Sequence, residues 1–181
     1  LTTLQREANA RFGLTAAKTL EAAQALYERH KLLTYPRTDS RHLPEDQRPV
    51  VEKLLAGLPA PLGQLLAQQR REPGKRVFDN DKISDHHAIL PTASAGKADT
   101  SVLPLGEREL LRLVAGQLLR AVSDAHRYAE TTVTLECGGT EFTAKGKTVL
   151  NTGWKRYLAQ EKQDAALPEL SEGQVLDCAE A

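Results

Sequence analysis

The hydrophobic pattern of this chain changes period once, near His126, and that change fixes the fold class. Before it, residues 106–123 place Leu111, Val114, Leu118 and Val122 at the three-and-four spacing of a helix that buries one stripe. After it, Thr132 to Cys137 alternate in the manner of a half-buried strand. Gly138-Gly139 then supplies a tight-turn signal, because only glycine takes positive φ freely, and Phe142 and Ala144 continue on a return strand. A helical region followed by antiparallel strands is an α+β protein, with one domain over residues 1–126 and a second over 127–181. No internal repeat is visible.

The helical part can be read further. Residues 3–12 form a short helix that Gly13 ends, and Thr15 caps a second helix running to about Arg29. Ala16, Leu20, Ala23, Leu26 and Tyr27 share one face of it. Arg29, His30 and Lys31 suit its negative C-terminal end. Pro44 opens a third helix at its first turn, with Val50, Val51, Leu54 and Leu55 as its apolar face, and Leu62 to Arg70 form a fourth helical run. Residues 72–92 are aperiodic and polar, as a functional or disordered segment would be. Further strand-like pieces fall at Trp154 to Leu158 and Val175 to Cys178.

Charge is balanced, with 24 basic and 24 acidic residues, so the chain as a whole does not announce a polyanion partner. The tract from Arg29 to His42 is locally basic: Arg29, Lys31, Arg37 and Arg41, with two histidines, meet only Asp39. Cys137 and Cys178 lack the spacing of a zinc site, and Cys137 reads as a small buried hydrophobe. No apolar run approaches a membrane span and no signal segment opens the chain, so a cytoplasmic location is expected. The chain starts at Leu1 and contains no methionine, as a piece of something larger would.

The chemistry is concentrated in Leu32 to Arg41, Leu-Leu-Thr-Tyr-Pro-Arg-Thr-Asp-Ser-Arg. A phenol can attack phosphorus, and a guanidinium two residues on can meet the phosphate oxygens with a bidentate fork. Pro36 fixes its own φ and biases Tyr35 toward an extended backbone, which places the tyrosine on a loop or strand end. Taken alone, a tyrosine beside an arginine is more often a packing residue. A second cluster, Ser84-Asp85-His86-His87-Ala88-Ile89-Leu90-Pro91-Thr92, lies in the aperiodic segment. Adjacent histidines point to opposite sides of an extended chain and chelate poorly, and Asp79, Asp81 and Asp85 lack a metal-loop arrangement, so no metal site is assigned. One imidazole could instead bond a phosphate or move a proton.

Together the two segments are far more specific. Thr34-Tyr35-Pro36-Arg37-Thr38-Asp39-Ser40-Arg41, followed about fifty residues later by His86-His87-Ala88-Ile89-Leu90-Pro91-Thr92, closely resembles the type IA DNA topoisomerases, and the bacterial topoisomerase III branch in particular. Thr3-Leu4-Gln5, Ala23-Gln24-Ala25-Leu26-Tyr27-Glu28 and Gly153-Trp154-Lys155 extend the resemblance over nearly the whole chain. It implies that Tyr35 is the nucleophile forming a 5′-phosphotyrosyl bond, that Arg37 positions the scissile phosphate, and that His86 bonds phosphate or assists proton movement. Lys31, Thr38, Asp39, Arg41 and His87 are expected at the DNA, with holding its loop through backbone N–H groups as the alternative role for Asp39. It also implies a helical domain with a CAP-like helix-turn-helix core, followed by part of a β-rich gate arch. The implied magnesium belongs to a Toprim domain whose acidic cluster has no match here. The implied partner is single-stranded DNA, handled by a monomeric, bacterial, nucleoid-associated cytoplasmic enzyme. Two other readings are a DNA-binding helix-turn-helix module, which would not need Tyr35, and a tyrosine recombinase, in which arginine and histidine precede the tyrosine.

Overall fold

Gly13 and Thr15 punctuate the first two helices as their chemistry requires. In the computed structural model, which describes residues 1–57, 73–158 and 167–177, helix α1 spans Thr2–Phe12. Gly13 ends it at φ 66°, and its N–H donates to the Asn9 carbonyl. The Thr15 hydroxyl accepts from the Lys18 N–H and starts α2, Ala16–Gln24. Beyond Gln24 the helix does not continue regularly to Arg29 as its periodicity suggested; Ala25–Arg29 widen into a π-turn.

Helix α3 is Arg48–Ala56, preceded by a 3-10 turn at Glu45–Gln47. Pro44 caps that turn in an extended conformation rather than sitting inside the helix, and Pro49 takes the first-turn position of α3. Val51 and Leu55 are buried, while Val50, assigned to the same face from sequence, points to solvent. Helix α4 is Leu105–Val122, and it buries Leu111, Val114, Leu118 and Val122 as the period predicts, with Leu110 and Leu113 beside them. The helical run proposed for Leu62 to Arg70 lies outside the described residues.

The chain divides into two units between Asp124 and Ala125. In the first, α1, α2 and α4 pack around Ala8, Ala23, Leu26, Leu33 and Leu110, all at most 1% exposed. Each such leucine contributes roughly 1.5–3 kcal/mol by leaving water.

The second unit is built on an antiparallel ribbon, β1 Arg127–Cys137 and β2 Thr140–Asn151. Gly138 and Gly139 turn it at φ 60° and 80°. The register puts Val133 opposite Ala144 and Leu135 opposite Phe142 on one face. Glu130 opposite Lys147 and Thr132 opposite Lys145 lie on the other. The alternation thus sorts residues by face, but nearly every ribbon residue is exposed, Cys137 included. The half-buried strand and the buried thiol expected from sequence are corrected: burial needs a layer packed on the apolar face, and alternation alone does not provide one. At Gly146 the backbone is covered by Leu167. Trp154 to Leu158 are not a strand, because Gly153–Tyr157 form a 3-10 turn begun by the Asn151 side chain on the Gly153 N–H. Residues 175–177 pair with no strand, and Cys178 lies outside the described residues.

Candidate active site

The π-turn delivers the chain to Tyr35 through a sharp reversal at Lys31. Lys31 has φ 58°, a left-handed conformation that costs a non-glycine residue about 1–2 kcal/mol, and it lets the Leu32 N–H reach back to the Leu26 carbonyl at 2.8 Å. Leu32 and Leu33 are then buried, which anchors the approach to the tyrosine. This strained turn had no sequence signal, since lysine stands where glycine would normally mark it.

From there the two motif segments lie side by side. Leu33 bridges antiparallel to Pro91, Thr34 N–H donates to the Leu90 carbonyl at 2.9 Å, and Thr92 N–H donates to the Leu32 carbonyl at 2.9 Å. Three threonine hydroxyls add to the seam. Thr34 Oγ1 accepts from Leu90 N–H at 2.8 Å, Thr92 Oγ1 donates to the Lys31 carbonyl at 2.6 Å, and Thr38 Oγ1 donates to the His86 carbonyl at 2.9 Å. Sequence reasoning gave Thr34 and Thr92 no role. The signal available was a β-branched hydroxyl residue in each motif, able to satisfy a backbone group across an irregular loop.

This seam brings Tyr35 and His86 together. Their rings are 4.5 Å apart between centroids, tilted by 51°, and Tyr27 also meets Tyr35 edge-on at 5.5 Å. Lys31 Nζ lies 5.7 Å from the Tyr27 ring centre. Tyr35 is half-buried, Pro36 is buried behind it, and Arg37 and His86 are exposed. Among the described residues the Arg37 guanidinium has no carboxylate partner, so its donors face solvent. A half-buried phenol packed against an imidazole, with an exposed guanidinium two residues along the chain, is an arrangement fitted to a phosphate ester approaching from solvent.

The other predicted residues are spread around this centre. His87 turns its Nδ1 to 2.7 Å from the Ala88 carbonyl, so that ring is engaged with the backbone. Among the described residues Asp39 makes no hydrogen bond to its loop. The loop's N–H groups are held instead by hydroxyls, Ser40 N–H on Thr38 Oγ1 and His42 N–H on Ser40 Oγ, both at 3.1 Å. Asp39 and Arg41 are exposed, and they line a cavity of about 540 Å³ together with Arg76, Arg120, Leu113 and Val114 among others. Burial, and then the nearby charge of Arg11, lowers the pKa of the Arg120 guanidinium from its ordinary value. Among the described residues no group of three or more histidine, cysteine or carboxylate side chains could hold a metal ion, and no helix is long and apolar enough to cross a membrane.

A family model described as DNA topoisomerase matches residues 1–181. The chain belongs to that family. Within it the chain is type IA and topoisomerase III-like. It is 43% identical over 187 residues to DNA topoisomerase 3 of Bacillus licheniformis, covering 97% of this chain and 25% of that protein. It is 44% identical over 188 residues to DNA topoisomerase 3 of Bacillus subtilis, covering 97% of this chain and 26% of that one. This topoisomerase chain therefore spans about a quarter of the length of the curated relatives it matches. Its fold is similar to the structure of full-length topoisomerase I from Thermotoga maritima. The TM-score is 0.65 at 22% identity, over 95% of this chain and 28% of that one.

Proposed function

We propose that this chain supplies the nucleophile-bearing part of a type IA topoisomerase, which cuts and reseals one DNA strand through Tyr35. The observation that carries the reading is the meeting of Tyr35 and His86, ring centroids 4.5 Å apart, from segments fifty-one residues apart (86 − 35). In the step, the Tyr35 phenol oxygen bonds to the phosphorus of a DNA phosphodiester. The bond from phosphorus to the 3′-oxygen of the preceding nucleotide breaks. The phenolic proton is lost and the departing 3′-oxygen gains one, so that a 5′-phosphotyrosyl ester and a free 3′-hydroxyl remain. Attack by that hydroxyl reverses every bond change and reseals the strand. The phosphoester bond is exchanged rather than hydrolysed, so no nucleotide cofactor is needed for closure.

Arg37, exposed and unpaired, is assigned to the non-bridging phosphate oxygens, where its fork offsets charge developing in the transition state. His86 is assigned to the same phosphate or to proton movement at the phenol. Lys31, Asp39 and Arg41 border the approach, with Arg41 suited to a flanking phosphate. The parent's magnesium is assigned to a Toprim domain, whose acidic cluster has no match in this sequence. In the parent, transient opening of the cut strand would let another strand pass and would change DNA linkage. These 181 residues alone are expected to bind single-stranded DNA weakly and to cleave it little.

The test is covalent trapping. The full-length parent enzyme, mixed with a labelled single-stranded oligonucleotide and denatured, should yield a protein–DNA adduct, and Tyr35→Phe should remove it. An adduct that survived Tyr35→Phe would sink the assignment. Binding without any adduct would point to a DNA-binding module instead.

A further inference from the structure

Thr38 stands apart from its neighbours in the Tyr35 loop. Arg37, Asp39 and Arg41 are exposed, whereas Thr38 is only 7% exposed. Its hydroxyl is already committed: Oγ1 donates its single hydrogen to the His86 carbonyl at 2.9 Å and accepts the Ser40 N–H at 3.1 Å. Its own N–H donates to the Pro36 carbonyl at 3.0 Å. Among the described residues, the bond from Thr38 is the one hydrogen bond that His86 makes. The other end of the seam is redundant, since the Thr34 and Thr92 hydroxyls there are backed by two backbone bonds. Among the described residues no second bond backs the first at His86 itself; the next tether along the segment is the Ala88 N–H on the His42 carbonyl at 2.9 Å.

We propose that Thr38 is a positioning residue, not a DNA contact: its buried hydroxyl pins the His86 main chain so that the imidazole stands against the Tyr35 ring. This rests on the reading of Tyr35 as the nucleophile. A buried hydroxyl whose donor is spent on a carbonyl has nothing to offer a phosphate oxygen. Without it, both the His86 carbonyl and the Ser40 N–H lose their partner, and the His86 main chain is held only through the Ala88 N–H on the His42 carbonyl, which loosens the imidazole against the phenol.

The experiment compares Thr38→Val, which keeps the branched shape but removes the hydroxyl, with Thr38→Ser, which keeps the hydroxyl. Three quantities are read in the intact protein: adduct-forming rate at saturating oligonucleotide, oligonucleotide affinity, and the proton shifts of the His86 ring in the field of the Tyr35 ring. Thr38→Val should slow adduct formation about tenfold, the factor expected for one lost buried hydrogen bond felt in the transition state. Affinity should be unchanged, the His86 ring shifts should move toward those of a free histidine, and Thr38→Ser should restore rate and shifts together. An unchanged rate in Thr38→Val overturns the proposal, and so does weakened DNA binding with an intact rate at saturation. Should the wild type form no adduct through Tyr35, the functional reading fails. The ring shifts then decide alone: if they do not move in Thr38→Val, the positioning role falls as well. Should Thr38→Val fail to fold, Thr38→Ala removes the hydroxyl without crowding and carries the same readouts.

Discussion

Leu110 and Leu135 are both leucines on the apolar side of a regular element, yet Leu110 is 0% exposed and Leu135 is 37% exposed. Leu110 sits in α4, where α1 and α2 close over it. Leu135 sits in β1, opposite Phe142, and among the described residues no comparable layer covers the pair. The two units are therefore held in different ways. The first rests on burial. The ribbon rests chiefly on its backbone ladder and on a glycine turn that fixes the register. The Tyr35 site belongs to the first kind. Its approach is clamped by Leu26, Leu32 and Leu33 in the core, and Arg37, Asp39 and Arg41 reach solvent beyond them. The Tyr35 and His86 rings thus meet where packing, rather than hydrogen bonding alone, sets the backbone.

The largest test of that contrast is a pair of truncations. Leu110→Ala should destabilise the first unit by about 2–5 kcal/mol, the usual result of a cavity in a closed core. Leu135→Ala should change stability by no more than about 0.5 kcal/mol, as exposed positions do. Denaturant unfolding followed separately at Tyr35 and at Trp154 would read both. Equal losses would show that the ribbon's apolar face is covered in solution and would erase the distinction.

Two glycines sharpen the comparison at smaller scale. A Cβ on Gly146 would stand 2.6 Å from Leu167 Cγ and 3.0 Å from its backbone nitrogen, so Gly146→Ala must push that segment off the ribbon. A cost of about 1–3 kcal/mol is expected, as for other overpacked sites, with amide shifts moving in residues 167–177. Gly116 lies within α4, and its nearest neighbour would be Arg120 Nη1 at 3.7 Å, an ordinary contact. Gly116→Ala should stabilise by about 0.4–1 kcal/mol through the unfolded chain. If both substitutions were neutral, the close approach at Gly146 would not hold in solution.

The same contrast explains what could be read from the residues. Thr15, Gly13 and the α4 stripe were legible because caps and helical period act within a few positions. The hairpin was legible from Gly138-Gly139 for the same reason. Cys137 was misplaced because alternation reports which face a residue is on, whereas burial depends on what packs there, which is not local information. At the site, Tyr35 and His86 were legible as motif residues, but their contact at 4.5 Å depends on the seam between residues 31–38 and 86–92. The π-turn and the left-handed Lys31 that build the seam's start break local preference, so no propensity argument could find them.

The smallest effect concerns charge at the rim of the first unit. A hydrogen bond from Arg48 lowers the Glu45 carboxyl pKa below its ordinary value, outweighing a slight opposing effect of desolvation. A depressed folded pKa gives stability that is present above the unfolded value, near about 4.3 for glutamate, and lost as pH falls through the lower folded value. Glu45→Gln should therefore unfold slightly more easily than the parent at neutral pH, and the two melting curves should converge in acid. The difference should be small because the carboxyl is fully exposed and screened by solvent. Arg48 itself should stay in place without Glu45. Its guanidinium stacks 4.3 Å from the centre of the buried Phe78 ring and donates to the Pro73 carbonyl at 3.1 Å, so packing fixes it before the ion pair does. A Glu45→Gln variant that lost as much stability as a core truncation would reverse that order, and would place charge rather than burial at the base of the first unit.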